Sequence, residues 1–515
     1  MNKTNMKILN FLASATVAAS VLFLNSCTKE SSSISTPQFK TGTTITSDTL
    51  TGSVKGTMLT GKTYYFRGEV TVNAGDTLVM QSGVKLFSKT PNSVLLINGV
   101  FISLGTKSSP NWITSEDAYK NPSTYKQTTY VDPNTDKGLC LTCLNNVGKL
   151  WGGIQCSTTA TLVDIKWTHL DFVGGTAASG STVVTSTSFA AAYKSGDLLF
   201  AILFQNFNGN LIIEDSWFYG TSTDVARIKG GKIHIMRNTV EKMGYNDGDA
   251  FNVKGGSVGD MAYNLIIGTA KGGTKASNKG QAVGAPQTFI NMYNNTYINE
   301  GWRSLDPDRG ANVDIEEGAR GYAYNNIIVN CRTGIRFLEN PKADTTNVVI
   351  STGDSGYGNN LSYGDSVSVT GQFLASSHLA KFNTTDLPVP SSYYTNPKNG
   401  QNGKYWFVVA GQAQPAAGAP TANGYDGATL VGKNSPKFVN FPLPTTAAHL
   451  RDITWADGWD FHLAAGSPAI GKGTATALTP LNATASVSNK YLTATVTPPN
   501  KDMGAFPTDG TGNQH

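Results

Sequence analysis

One short phrase recurs along the middle of the chain, between Leu211 and Leu338. Each copy has an apolar stretch, then Asp or Asn, then a further apolar pair. The Asp or Asn falls at positions 215, 238, 264, 295 and 326, and Asn359-Asn360-Leu361 continues the series. The steps between copies are 23, 26, 31, 31 and 34 residues, which describes a repeat with variable insertions. Two or three short strands per turn of roughly 25 residues are typical of a parallel β-helix.

An Asp or Asn at one fixed corner of every coil has a physical reason. An amide can bond the backbone of its own corner and the equivalent amide one coil away. The pattern therefore predicts a ladder of polar side chains along one edge of the solenoid. The longer steps on either side of Asn295 hold extra chain, so we expect a binding site there rather than on the ladder.

The composition agrees with a turn-rich β protein. The chain has 55 Gly, 15% charged residues and 39% hydrophobic residues, which argues against global disorder. The formal net charge is only +5 and there is no dense Lys/Arg tract, so no nucleic-acid partner is expected. The prediction is an all-β chain with a single parallel β-helix over 41–506, a monomer, and a disordered tail at 507–515.

Three stretches lack strand alternation. Residues 116–149, 174–195 and 365–434 are rich in small, polar or turn-forming residues, and we interpret them as long loops that protrude from the solenoid. Loops of this length in a compact domain usually carry function or are mobile. They are therefore expected to flank a groove.

The beginning of the chain carries an export signal. Lys3 and Lys7 precede an apolar run over 8–24, which is typical of a secretory signal peptide over residues 1–26. The sequence Leu24-Asn25-Ser26-Cys27 resembles a bacterial lipobox. That resemblance implies cleavage before Cys27, attachment of diacylglycerol to its sulfur, a flexible tether over 27–40, and membrane contact through the lipid. The alternative is an ordinary signal peptide with an incidental Cys.

Three cysteines lie close together in the first half of the chain: Cys140, Cys143 and Cys156. Outside the cytoplasm a disulfide among them, or else a buried thiol, is expected. A three-thiolate zinc site and a redox Cys-x-x-Cys are the alternatives, but no His stands at ligand spacing and no βαβ context surrounds them. Cys331 lies in a strand phrase and is expected to be a small core residue.

The C-terminal phrases Ser435–Asn440, Asp460–Gly471 and Asp502–Phe506, with Val70–Leu86 and Trp151–Ile154, resemble coils of the pectin-lyase-like superfamily. The similar proteins include secreted lipoproteins of Gram-negative bacteria. The resemblance covers roughly residues 50 to 506 in patches. It implies a right-handed parallel β-helix, and its members include polysaccharide lyases, polygalacturonases and non-catalytic surface proteins.

A polysaccharide lyase needs a basic side chain near a uronate and a cation that neutralises the carboxylate. Charged residues crowd 302–320 and recur one coil later. The candidates for base or neutraliser are Arg303, Arg309, Arg332 and Arg336; those for sugar binding are Trp302, Glu316, Glu317 and Arg320; and those for calcium are Asp306 and Asp308. The alternative is a solvated loop with ion pairs.

A hydrolase is the less favoured enzyme. The stretch around Asp247 and Asp249 is similar to the Asp-containing coil of polygalacturonases, and Arg227-Ile228-Lys229 is similar to their substrate clamp. The order of the two phrases is reversed here, and no Gly-His-Gly motif is present. The sequence thus predicts a cell-envelope protein, anchored in the outer membrane, that binds or cleaves polymeric carbohydrate. The competing hypothesis is a non-catalytic structural or adhesive surface protein.

Overall fold

The computed structural model describes residues 42–125, 148–189, 192–244, 247–281, 284–301, 304, 311–338, 356–365, 431–441, 443, 458–476, 478–485 and 494–515. All of them belong to one compact unit, Thr41–Val487 with Thr493–His515. The predicted signal peptide, Cys27 and the tether lie outside these residues. Among the described residues, no helix combines the length and apolar character needed to cross a membrane.

Within the described residues the chain winds through three stacks of parallel strands, which we call faces 1, 2 and 3. Face 1 is a sheet of its own, whereas faces 2 and 3 are joined near one end into a second sheet. Face 1 contains β2 (Gly56–Met58), β4 (Thr77–Met80), β7 (Val100–Leu104), β10 (Leu162–Lys166), β13 (Asn210–Glu214), β16 (Gly231–Met236), β19 (Ser257–Ala262), β22 (Phe289–Tyr293), β25 (Tyr322–Tyr324) and β28 (Gly356–Gly358).

Face 2 contains β5 (Lys85–Ser88), β8 (Asn111–Ser115), β11 (Thr168–Asp171), β14 (Trp217–Tyr219), β17 (Thr239–Glu241), β20 (Leu265–Ile267), β23 (Thr296–Ile298), β26 (Ile327–Val329) and β29 (Leu361–Tyr363). Face 3 contains β6 (Val94–Ile97), β9 (Ile154–Cys156), β12 (Ile202–Phe204), β15 (Ala226–Ile228), β18 (Asp249–Val253), β21 (Gly272–Ser277), β24 (Ala311–Glu316) and β27 (Thr333–Leu338). The long strand β3 (Thr63–Val72), paired with β1 (Thr49–Ser53), bends across faces 2 and 3.

The remaining elements are short. They are α1 (Glu116–Lys120), α2 (Pro122–Tyr125), α3 (Thr182–Thr185), a 3-10 turn at Thr187–Phe189, and an antiparallel pair, β30 (Phe438–Asn440) with β31 (Asp460–Leu463). The parallel pairing of each strand with the strand one coil away confirms the prediction of an all-β parallel β-helix.

The core is a set of apolar columns inside the helix. On face 2, for example, Phe218, Val240 and Ile266 occupy equivalent inward positions on neighbouring coils, and each is fully buried. Because a single coil has no second layer of its own, its apolar side chains are buried only when further coils stack on it. This explains why a repeated apolar phrase specifies this architecture.

The predicted ladder lies at the corner between faces 1 and 2, which we call the asparagine corner. At each step an Asn Nδ2 atom donates to the Oδ1 atom of the Asn one coil later, over 2.9–3.1 Å, and all of these side chains are 0% exposed. The members are Asn238, Asn264, Asn295, Asn326 and Asn360.

Asp215 is not part of this ladder, which corrects the alignment made from the sequence. Glu214 pairs in register with Met236, so the position equivalent to Asn238 is occupied by Ser216. The backbone N–H of Ser216 donates to Asn238 Oδ1 over 3.0 Å. Asp215 instead shares the preceding position with Arg237, and both have the positive φ that turns the corner.

The stretch predicted as a loop over 174–195 leaves the helix between faces 2 and 3 and lies back on face 3. Val183, Phe189 and Tyr193 are buried there against Leu96 and Leu203. The stretch predicted over 116–149 begins with α1 and α2, and its residues 126–147 lie outside the described residues, as do residues 366–430 of the third predicted loop.

Residues 474–476, 478–485 and 494–515 run along the outside of face 1 and the asparagine corner, and we call them the strap. Asp260 accepts bonds from the backbone N–H groups of Leu481 and Asn482, over 3.0 and 2.8 Å. The backbone N–H of Thr495 donates to Glu214, and Arg237 donates to the Thr495 carbonyl over 2.8 Å. The strap therefore satisfies buried polar groups on the outer side of the helix.

Residues 507–515 were expected to form a disordered tail, and the structure places them in the strap instead. Asn513 is 2% exposed and donates to the carbonyl of Asn238 over 3.0 Å. The ring of His515 lies 5.4 Å from that of Trp167 and 5.3 Å from that of Trp217. Asn513 in this segment satisfies backbone carbonyls of the asparagine corner, so the segment packs against the helix although it has few apolar residues.

Candidate functional site

Part of the predicted site lies outside the described residues: Trp302, Arg303, Asp306, Asp308, Arg309 and the cysteines Cys140 and Cys143. The calcium prediction for Asp306 and Asp308 therefore stays a prediction. Within the described residues, no cluster of three or more His, Cys, Asp or Glu side chains could hold a metal ion. Cys156 is a free, fully buried thiol, which is the buried-thiol alternative and not the disulfide.

The described members of the predicted site do not converge. Arg332 Nη1 donates to the backbone carbonyls of Gly301 and Ser304, over 3.3 and 3.0 Å. The guanidinium of Arg320 lies 4.8 Å above the ring of Phe289, on face 1. Glu317 has a positive φ at the end of β24.

Glu317 accepts a bond of 2.7 Å from the hydroxyl of Ser277. Arg336 lies on β27 in register with Asp314. The described candidates therefore lie at different points along the last described coils, and each contacts its own set of neighbours.

Glu316 belongs to a buried ionic group on face 3. Lys275 Nζ lies 2.6 Å from Glu316 Oε1 and 3.3 Å from Asp314 Oδ2, and all three side chains are 5% exposed. Lys275 and Asp314 also belong to one column of outward positions on neighbouring coils. The column consists of Arg227, Asn252, Lys275 and Asp314, and Arg336 follows in the strand register.

A second ionic group lies beside the first coils of this column. Arg227 Nε donates to Asp224 Oδ2, and Asp224 Oδ1 accepts from the backbone N–H of Asp249 over 2.8 Å. Asp249 accepts in turn from Asn252 Nδ2 over 2.8 Å. Burial raises the pKa of Asp249 above its ordinary value. The two phrases similar to polygalacturonases are thus neighbours in space, although Asp224 and Asp249 are only 1% and 4% exposed.

The corner between faces 3 and 1 carries two basic side chains on neighbouring coils. Lys229 and Lys254 directly follow β15 and β18, and the backbone N–H of Lys254 donates to the carbonyl of Ile228 over 2.6 Å. Both side chains are partly exposed, and within the described residues no ion pair joins either of them to a carboxylate. We call Lys229, Lys254 and Phe207 the lysine corner, because Phe207 lies at the same corner one coil before Lys229.

The surroundings lower the pKa of both amines. Burial is the main reason that the pKa of Lys254 falls to about 8; the charge of Lys275 adds to the effect, while that of Glu316 opposes it. Burial and the charge of Arg227 lower the pKa of Lys229. An amine with a pKa near 8 is neutral in part of the molecules near neutral pH, and it can then accept a proton from a substrate.

Lys254 is a candidate that no linear motif marks. Its relation to Lys229 on the neighbouring coil becomes visible only with the strand register. Burial is the main cause of its lowered pKa, and Lys275, which reaches the same face through the register of β18 with β21, adds to it. Neither relation can be seen in a linear motif.

A second surface, on face 2, carries aromatic rings from successive coils. The rings of Trp112 and His169 stack at 3.8 Å and 3°, and those of His169 and Trp217 at 5.7 Å and 20°. Because these rings face each other, mainly their edges point outward. A pocket of about 410 Å³ lies nearby at the corner of faces 2 and 3, where Lys89 and Lys120 both pair with Glu116. Both lysines are thus already paired within the protein, and Asp117 in the same lining accepts a bond from Asn121.

Comparison of the chain with protein-family models, with curated proteins and with solved structures returned no match.

Proposed function

We propose that this protein binds an acidic polysaccharide at the lysine corner and cleaves it by β-elimination, with Lys254 as the base. The observation that carries the proposal is a pair of partly exposed lysines on neighbouring coils, one with a pKa lowered to about 8, and neither paired with a carboxylate in the described part of the chain. Neighbouring strands of a sheet lie about 4.8 Å apart, so the two amines can contact a single sugar unit.

The two amines divide the chemistry between them. The neutral amine of Lys254 takes the proton from C5 of a uronate. The electron pair of that C–H bond forms the double bond between C4 and C5, and the C4–O bond to the next sugar breaks. The departing oxygen takes a proton from water. The charged amine of Lys229 lies against the uronate carboxylate and stabilises the negative charge that develops there.

The parallel β-helix agrees with the resemblance to the pectin-lyase-like superfamily, and we propose membership of that group on this basis. We also propose that Cys27 carries the lipid and holds the protein in the outer membrane, because the leader has a basic start, an apolar run and a small residue before the Cys. A Cys27→Ser variant is expected to leave the membrane fraction of cells. Wild-type behaviour of this variant would contradict the anchor.

The test of the activity is incubation with a panel of polyuronides, with and without calcium, while the absorbance of the unsaturated product is followed. Lys254→Met is expected to abolish product formation, because the base is lost. Lys279→Met is the matched control, since Lys279 is an exposed lysine on the following coil. Absence of product on every polyuronide would contradict the lyase, and equal activity of Lys254→Met would contradict the role of Lys254.

A non-catalytic surface protein is the second candidate, and one observation favours it. Lys275, Asp314, Glu316, Arg227 and Asp224 pair with one another and are largely buried, as in an ion-pair network that stabilises the fold. This candidate would be selected if the protein binds polysaccharide without forming product and if Lys254→Met binds it as the wild type does.

A further inference from the structure

We infer that Phe207 is a stacking subsite for one sugar ring of the polymer held at the lysine corner. This inference rests on the proposed function, because it adds a binding residue to that site. It assigns the apolar face of a pyranose to the exposed ring and the carboxylates of the same chain to Lys229 and Lys254.

The first observation is the exposure of the ring. Phe207 is 41% exposed, while the other phenylalanines that define the described core are almost completely buried. It stands between Asn206 and Asn208, in a turn where polar residues suffice. A single exposed apolar residue is ordinary on a protein surface, so the exposure alone does not identify a site.

The second observation is the glycine surface beneath the side chain. A Cβ atom added at Gly230 would lie 2.7 Å from Phe207 Cβ, and one added at Gly256 would lie 3.9 Å from it. Gly230 directly follows Lys229, and Gly256 comes two residues after Lys254. The root of the Phe207 side chain therefore lies against the two coils that carry the lysines, and the absence of side chains at these glycines permits that approach.

The third observation is the combination of charge and apolar surface. A second copy of this chain or a lipid surface would also cover an exposed ring, but neither explains two amines without carboxylate partners in the described residues. A polyuronide presents carboxylates and flat apolar ring faces along one chain. An aromatic ring with a few well-placed polar groups is the usual composition of a small-ligand site.

The experiment measures binding and turnover of an acidic polysaccharide by the full chain. Phe207→Ala is expected to raise Kd and KM roughly five- to tenfold, since an aromatic contact of this kind contributes about one unit of log affinity. The value of kcat and its pH profile are expected to stay near the wild-type values, because Lys254 is unchanged. Phe207→Trp keeps a ring and is expected to bind like the wild type, whereas Phe207→Leu, which keeps apolar volume without a ring, is expected to bind like Phe207→Ala.

Val439→Ala is the matched control, since Val439 is 56% exposed elsewhere on the chain. Unchanged binding by Phe207→Ala, alongside inactive Lys254→Met, would overturn the subsite and leave the proposed function standing. Absence of binding by the wild-type protein to any polyuronide would overturn both. Equal polymer binding, together with a change from dimer to monomer in sedimentation, would assign the ring to contacts between copies and overturn the subsite.

Discussion

The asparagine corner and the lysine corner are two edges of the same solenoid, and they differ in how their polar groups are bonded. At the asparagine corner every amide is 0% exposed and bonded to a neighbouring coil, and the strap covers the outside. At the lysine corner two amines are partly exposed without a carboxylate partner in the described residues. A closed network of this kind adds stability, whereas groups left unpaired at the surface are free to bind a ligand.

The largest expected effect concerns Arg237, which joins the strap to the asparagine corner. It donates to Asp215 over 2.8 and 3.1 Å and to Thr495 and Thr497 of the strap over 2.8 Å. Arg237→Met leaves buried acceptors without a donor, so we expect a loss of about 3–5 kcal/mol in the free energy of unfolding, measured by chemical denaturation.

Arg67→Met is the control for Arg237→Met, because Arg67 is an exposed arginine on β3. A loss no larger than that of the control would show that the strap is not held through Arg237. The closed character of the asparagine corner would then rest on the amide ladder alone.

A smaller loss is expected from Asn295→Ala. Asn295 Oδ1 accepts from both the backbone N–H and the amide of Asn264, over 3.0 and 2.9 Å, and its own Nδ2 donates to the carbonyl of Met261. The substitution leaves buried groups on two coils unpaired, which costs about 2–4 kcal/mol in the same measurement. Asn208→Ala, at an exposed turn, is expected to change little; equal losses in the two variants would mean that the ladder does not stabilise the coils.

The fold could be predicted because the repeat constrains it directly, but the phrase did not determine the register at Asp215. Asp and Asn favour similar turn positions, so an alignment of the repeated phrases by residue type puts Asp215 level with Asn238. The strand register decides the ladder position. Ser216 occupies it and bonds Asn238 through its backbone N–H, while the side chain of Asp215 holds Arg237.

The predicted site was only partly recoverable, because neighbours in sequence separate in a solenoid. Glu316 ends β24 on face 3, whereas Arg320, four residues later, packs on Phe289 of face 1. Lys275 comes from the preceding coil and pairs with Glu316. A cluster of charges over 302–320 marks extra chain, but only the strand register shows which side chains share a face.

Lys254 is expected to make stability depend on pH in the opposite direction to a lysine whose pKa is raised by an ion pair in the folded state. The pKa of Lys254 falls from 10.5 to about 8, so between these values the unfolded chain binds the extra proton. Its contribution to stability therefore rises as the pH increases from 8 to 10.5. Between pH 8 and 10.5, the free energy of unfolding from chemical denaturation is expected to rise less for Lys254→Met than for the wild type. Identical slopes against pH in the two proteins would indicate that Lys254 is charged in the folded protein.

The smallest expected effect separates burial from charge at this corner. Lys275→Met removes a positive charge that lowers the pKa of Lys254. It also removes the ion-pair partner of Glu316, whose negative charge raises that pKa, so both effects are expected to raise the pKa of Lys254. The midpoint of amine labelling at Lys254, followed by mass spectrometry against pH, is expected to move above the wild-type value. Lys271→Met is the control, because Lys271 pairs with Asp247 instead. An unchanged midpoint in Lys275→Met would mean that burial alone lowers the pKa, and that the lysine corner is independent of the buried ionic group beside it.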